Sequence, residues 1–408
     1  MEQTPMKNRI DTRHIDALDG LRALAVGIVA WYHIWQQSWL PPFIRGPVAA
    51  LFGREIISLD AIPRTGYLFV DFMLLLSAFL LFLPHARAMV EGGPVPDAKT
   101  FYKKRLMRIL PSYYASVLLI FFLVSLPSGA FPSGWAAMKE LFLNLTFSQI
   151  FVEQPFLFSR INCVLWTVCV EMQLYLIFPL LARAFRKQPA LTYCAMVGIS
   201  VLFNRGLVLS HPDSVRMLLN QFPAFFGVFG NGMLAALAYV KLANRTERSL
   251  ALSVTGTLLT FLSGFVVARF LLMAAGSQTL QITQLHIRFG FSLALTALLL
   301  SATLSAGWLR WLLGNRLMKF FAGISYNLYI WHQWLAVQLK AWRIPYWEGA
   351  QAPNFTGDLV WQRQYTLICW MAAIAAAVLF TYLVEKPGAR LMEKLFRKMD
   401  GGLEHETL

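Results

Sequence analysis

Gly66-Tyr67-Leu68-Phe69-Val70-Asp71-Phe72-Met73-Leu74-Leu75-Leu76-Ser77-Ala78-Phe79-Leu80-Leu81-Phe82-Leu83 decides the fold class of this chain. The stretch carries one carboxylate, Asp71, in an otherwise apolar run long enough to cross a bilayer as a helix. The rest of the sequence repeats the pattern. Of 408 residues, 57% are apolar and 14% are charged, against about 25% charged in soluble domains. Ten spans are expected, at roughly 17–38, 66–83, 109–126, 163–183, 190–209, 222–240, 250–270, 288–304, 324–339 and 364–383. The predicted fold is all-α: a polytopic membrane helix bundle with one domain over 1–408 and a basic tail over 384–408. The basic, amphipathic stretch 305–323 reads either as an interfacial helix or as part of a longer span.

The net charge of +15 does not imply nucleic acid. The cations lie between apolar runs, as they do in cytoplasmic loops of membrane proteins. With Lys7, Arg9 and Arg13 placed inside, the inside segments hold 23 of the 36 Lys and Arg residues and the outside loops hold 12. Both termini are therefore expected in the cytoplasm, with the longer segments 39–65, 127–162 and 340–363 facing outward. The first apolar run has no small-residue cleavage site and is expected to stay as an anchor in the inner (plasma) membrane. Cys163, Cys169, Cys194 and Cys369 form no CxxC pair, so neither a zinc site nor a disulfide framework is indicated.

Ionisable side chains inside a span are costly unless paired or facing a wet cavity, which makes them functional candidates. Arg22 and His33 share the first span. Eleven residues of helix set them about 16 Å apart on nearly one face. Arg22 has a simpler reading as a local partner of Asp19, and His33 as an interhelical hydrogen-bonding group. Asp71 reads as a site carboxylate or as a helix-start residue favoured by the dipole. Glu171, deep in Trp166-Thr167-Val168-Cys169-Val170-Glu171, demands a partner or a water-filled pocket. Arg105 and Arg108 share a helix face, and guanidinium forks suit phosphate. Lys103 and Lys104 read as ordinary cytoplasmic charge. Ser325, Tyr329 and His332 form a polar stripe in the ninth span, with Tyr326 beside it.

Taken together these blocks resemble the acyltransferase-3 family of membrane acyltransferases, which acylate envelope sugars or antibiotics. The resemblance runs through Leu18-Asp19-Gly20-Leu21-Arg22 with His33, then Val70-Asp71-Phe72 with Leu76-Ser77-Ala78-Phe79. It continues through Arg105 and Arg108 before Pro111, Trp166 to Glu171 with Gln173, Tyr175 and Pro179, Ser325-Tyr326 with Tyr329 and His332, and Glu385-Lys386-Pro387. Ala78 stands where relatives usually have Gly, and Met172 where they have a second acid. The segment 190–320 carries little that is diagnostic.

The resemblance implies an acyl-CoA donor, most often acetyl-CoA, no metal, and a carbohydrate or glycolipid acceptor. It also implies direct transfer or a separate periplasmic or extracellular acyl-handling partner. On this reading Arg22, Arg105 and Arg108 hold the donor phosphates. His33 is the general base; an unperturbed imidazole is mostly neutral at pH 7. Glu171 or Asp71 orients it. Tyr326, Tyr329 or Ser77 donates to the oxyanion. Asp19, Trp166, Ser325 and His332 complete the expected pocket. Two other classes fit the same charges: a secondary transporter, which often shows repeats that are not visible here, and a non-catalytic membrane subunit of an envelope-glycan system.

Overall fold

The computed structural model describes residues 10–12, 15–207, 210 and 215–405. Lys7, Arg9 and Arg13 of the charge argument, and the last two residues of the expected span 190–209, lie outside them. All ten expected spans fall on helices: α1 (Ala17–Ser38), α2 (Phe69–Glu91), α3 (Ala98–Ile120), α4 (Trp166–Lys187), α5 (Pro189–Leu202), α6 (Phe226–Arg245), α7 (Leu250–Ala275), α8 (Leu280–Leu304), α9 (Arg316–Ala341) and α10 (Leu359–Phe380). Among the described residues, eight helical stretches are long and apolar enough to cross a membrane. The remaining two differ for separate reasons. α5 is short before a wider turn takes over at Phe203–Leu207, and α9 is long but carries the polar stripe.

Local signals set the helix starts. Asp97 accepts the Thr100 amide at 2.8 Å ahead of α3, and Asn315 caps α9 through Met318 N. Asp358 accepts two amides ahead of α10. Gly92 closes α2 in the left-handed region, at φ 74°. The second span therefore runs eight residues beyond the expected 83, through Pro84 to Glu91. The ambiguous stretch 305–323 divides: Gly307–Gly314 is a separate short helix, and the rest begins α9. The basic tail is also helical, over Lys386–His405. It leaves Leu391, Leu395 and Met399 exposed at four-residue spacing.

α2 and α6 are the most enclosed spans, while α7 and α10 are the most exposed. On α7 the outward side chains include Leu258, Phe261, Leu262 and Phe265, an apolar exterior suited to lipid. Small residues let the central helices approach. A Cβ built on Gly232 of α6 would lie 2.4 Å from the Leu75 carbonyl and 2.7 Å from Ala78 Cβ on α2. Gly66 similarly lets the chain entering α2 lie against Ile28 and Tyr32 of α1. One end of the bundle is tied by polar contacts: Thr12 to Glu91, Lys319 to Asp16, and Lys99 and Lys103 to Asp400. Both ends of the described chain are therefore tied to helix ends by polar contacts. The opposite end is covered by a two-stranded hairpin (Phe43–Arg45 with Ile56–Ser58), the helix Gly134–Leu145 and the segment after α9.

Gly232→Ala should destabilise the bundle by about 1–3 kcal/mol, the usual cost of overpacking. Thermal unfolding of the purified protein in detergent measures it. An unchanged midpoint would show that α2 and α6 can separate freely.

Candidate active site

The charged groups converge on two cavities stacked along α1. The first, of about 350 Å³, lies towards the basic end and is lined by Arg22, Ser77, Arg105, Arg108, Thr167, Glu171, Tyr175, Ser325, Tyr326 and Tyr329. The second, of about 280 Å³, is lined by Tyr32, His33, Tyr67, Asp71, Trp166, Gln284, Tyr329 and Gln333, among others. Val70 and Tyr329 belong to both walls. Three-turn spacing along α1 thus gives Arg22 to one cavity and His33 to the other.

Glu171 is the carboxylate of the arginine-lined cavity. Ser77 Oγ donates to its Oε1 at 3.0 Å, and the Tyr175 hydroxyl donates to the same oxygen. Arg105 lies over the rings of Phe101 and Tyr175, and its buried Nε has no hydrogen-bond partner among the described residues. Arg22 lies within electrostatic reach of Arg108, Asp19 and Glu171. Glu385 offsets part of the Arg108 charge and is fixed by Asn327 Nδ2, which donates to it at 2.6 Å. Three guanidiniums against Glu171 and the more distant Glu385 leave this cavity cationic. A cationic cavity with an unsatisfied donor suits anionic groups such as phosphates. Arg22, Arg105 and Arg108 are the residues that would hold them.

The second cavity corrects the expected triad. His33 Nδ1 lies 3.0 Å from Gln36 Oε1, and Gln36 Nε2 donates to the Tyr32 hydroxyl at 2.9 Å. With its amide nitrogen given to Tyr32, Gln36 presents an acceptor to His33. The imidazole then carries its proton on Nδ1 and keeps a lone pair on Nε2. Neither carboxylate is the orienting group. Glu171 is held in the other cavity by Ser77 and Tyr175. Asp71 faces Arg288 of α8, whose Nε donates to Asp71 Oδ2 at 3.3 Å. The Arg288 side chain is 2% exposed and that of Asp71 0%. Arg288 also donates to the Leu219 carbonyl at 2.7 Å and lies 4.3 Å from the Phe225 ring centre.

The remaining candidates separate. Tyr326 donates to the Ile109 carbonyl and Ser325 to Ala322, so both hydroxyls already have acceptors within the fold. Tyr329 stands between the cavities; its hydroxyl accepts from Thr167 Oγ1 at 2.9 Å and donates to the Val164 carbonyl over a longer 3.4 Å. His332 is buried behind His33, with ring centres 5.2 Å apart, and is not on either wall. Its Nδ1 faces the Leu328 carbonyl. Trp166 lines the second cavity beside Phe156 and Phe225. Asp19 stays in the first turn of α1, off both walls. Sequence reasoning missed Arg288 and Gln36. A signal existed for Arg288, which is an arginine embedded between Ile287 and Phe289. Gln36 offered none, since a glutamine near a helix end is unremarked until its neighbours are known.

The fold and these cavities define a multi-pass helical membrane protein whose buried charges face internal pockets. Comparison with known proteins gives the class its name. The acyltransferase-3 family, described as an acyltransferase domain, matches residues 15–386. The chain belongs to that family and is an O-acyltransferase. A protein of Acidianus two-tailed virus named "Putative acetyltransferase ORF330" is 27% identical over 333 residues, which cover 81% of this chain and 85% of that one. No solved structure gives a significant match.

Removing one partner of a buried ion pair leaves an uncompensated charge. Asp71→Ala should therefore cost about 3–5 kcal/mol. Thermal unfolding in detergent tests this, and a loss no larger than that of a surface substitution would mean Arg288 finds another partner.

Proposed function

We propose that the protein transfers an acyl group, most simply acetyl, from cytoplasmic acyl-CoA to a hydroxyl of a carbohydrate or glycolipid on the outer side of the inner membrane. The observation that carries this reading is the pair of abutting cavities. One is cationic and the other contains a base, and Tyr329 stands at their junction. The excess of Lys and Arg on the side of the termini supports a cytoplasmic basic end. The donor enters there, with its phosphates against Arg22, Arg105 and Arg108. Only the acyl-bearing arm has to reach the junction, so the charged nucleotide need not cross the bilayer.

His33 Nε2 takes the proton of the acceptor hydroxyl as its oxygen attacks the thioester carbonyl. The C–O bond forms, the C–S bond breaks, and the thiolate leaves with the proton returned by the imidazolium. Gln36 holds the imidazole with Nε2 available. Tyr329 lies at the junction and meets the developing oxyanion by giving up its long, 3.4 Å bond to the Val164 carbonyl. Glu171 orders Ser77 and Tyr175 on the donor side. A separate acyl-handling partner outside the membrane is compatible with this scheme but is not required by it.

The test is CoA release from labelled acetyl-CoA by protein in nanodiscs supplied with an envelope extract. His33→Ala should lower transfer by about 100-fold or more, the usual contribution of general base catalysis, with donor binding kept. Arg105→Gln and Arg108→Gln should instead raise the donor KM. CoA release by His33→Ala at the wild-type rate would remove His33 from the chemistry. Absence of acetyl-CoA binding by the wild type would overturn the donor assignment.

A further inference from the structure

Asp71 is a buried carboxylate on the wall of the His33 cavity, and half of its hydrogen-bonding capacity is open. Oδ2 meets Arg288, while Oδ1 has no partner among the described residues. Arg288 Nη2 is likewise buried without one. Arg288 is not on the cavity wall; it holds Asp71 from behind, so the group the cavity meets is a fixed carboxylate with one acceptor oxygen unpaired. Gln284 and Gln333 add amides to the same wall, and Tyr67 and Trp166 add aromatic faces. Paired donors and acceptors over aromatic surfaces suit a molecule with several hydroxyls.

We propose that Asp71, held in place by Arg288, binds a second hydroxyl of the acceptor, so that the enzyme selects polyols over monohydric alcohols. This rests on the assignment of the His33 cavity to the acceptor. The pair takes no part in proton transfer. Asp71 Oδ1 accepts a hydrogen bond from a hydroxyl that does not react, which turns the reacting hydroxyl towards His33. Arg288 is a positioning residue that holds Asp71 in place. A site built to hydrogen-bond a substrate hydroxyl rejects an analogue lacking it, because its buried groups are then left unpaired.

Glycerol and 1-propanol, which share a three-carbon chain and differ in two hydroxyls, are the probes. CoA release from acetyl-CoA is followed with each at equal concentration, and acetyl-CoA binding is measured on every variant. Wild type should favour glycerol by about tenfold or more. Asp71→Asn should bring the two rates together and leave acetyl-CoA binding unchanged. Should Asp71→Asn fail to fold, the double variant Asp71→Leu/Arg288→Met replaces the pair with apolar groups, which buried ion pairs often tolerate, and should also lose the preference. Equal rates in the wild type, a preference that survives in the variants, or acetyl-CoA binding with no transfer to glycerol would each overturn the proposal. Wild type that fails to bind acetyl-CoA would overturn the donor assignment instead, and this inference with it.

Discussion

Asp71 and Arg288 join the first turn of α2 to α8, both shut off from solvent. An ionised side chain has no cheap place among apolar helices. It must find an opposite charge, a set of hydrogen bonds or a polar cavity. Much of the arrangement around the two pockets follows from that demand. Arg288 also draws in the Leu219 carbonyl and the Phe225 ring, so the segment entering α6 is anchored to the same pair. Glu171 meets the demand differently, by accepting from Ser77 and Tyr175. The arginines meet it by facing a cavity.

The two pockets have distinct electrostatic characters because the charges are segregated along the helix axes. Arg22, Arg105 and Arg108 come from three different turns of two helices, yet face one space. His33, on the same helix as Arg22, is carried by three further turns into the other. Tyr329 and Val70 form the boundary. On the proposed reading this segregation lets an anionic donor remain at the basic end while its reactive carbon meets a neutral imidazole.

Helix packing places these groups with little tolerance. Gly232 brings α6 against α2, and Gly66 brings the start of the second span against α1 beside Tyr32. Tyr32 in turn binds Gln36, and Gln36 faces His33. A close backbone approach at Gly66 is therefore linked, through two hydrogen bonds on α1, to the orientation of the imidazole.

Apolar run lengths alone determined the helical membrane fold, because a segment in hydrocarbon must satisfy its own backbone hydrogen bonds. The same logic made Arg22, His33, Asp71 and Glu171 legible as candidates, since each is a charged or titratable group where such groups are costly. The grouping of Arg22 with Arg105 and Arg108 was legible from helix spacing and family resemblance. Partnership was not. Sequence spacing reports which residues share a face of one helix, but it carries no information on which helix lies opposite. Sequence therefore offers Glu171 or Asp71 as the partner of His33, while the fold gives Asp71 to Arg288, 217 residues away. Gln36, three residues from His33, became its partner only because the Tyr32 hydroxyl holds the amide nitrogen. The sequence determined which groups needed partners; the tertiary structure decided which partners they received, because that choice depends on how separate helices face one another.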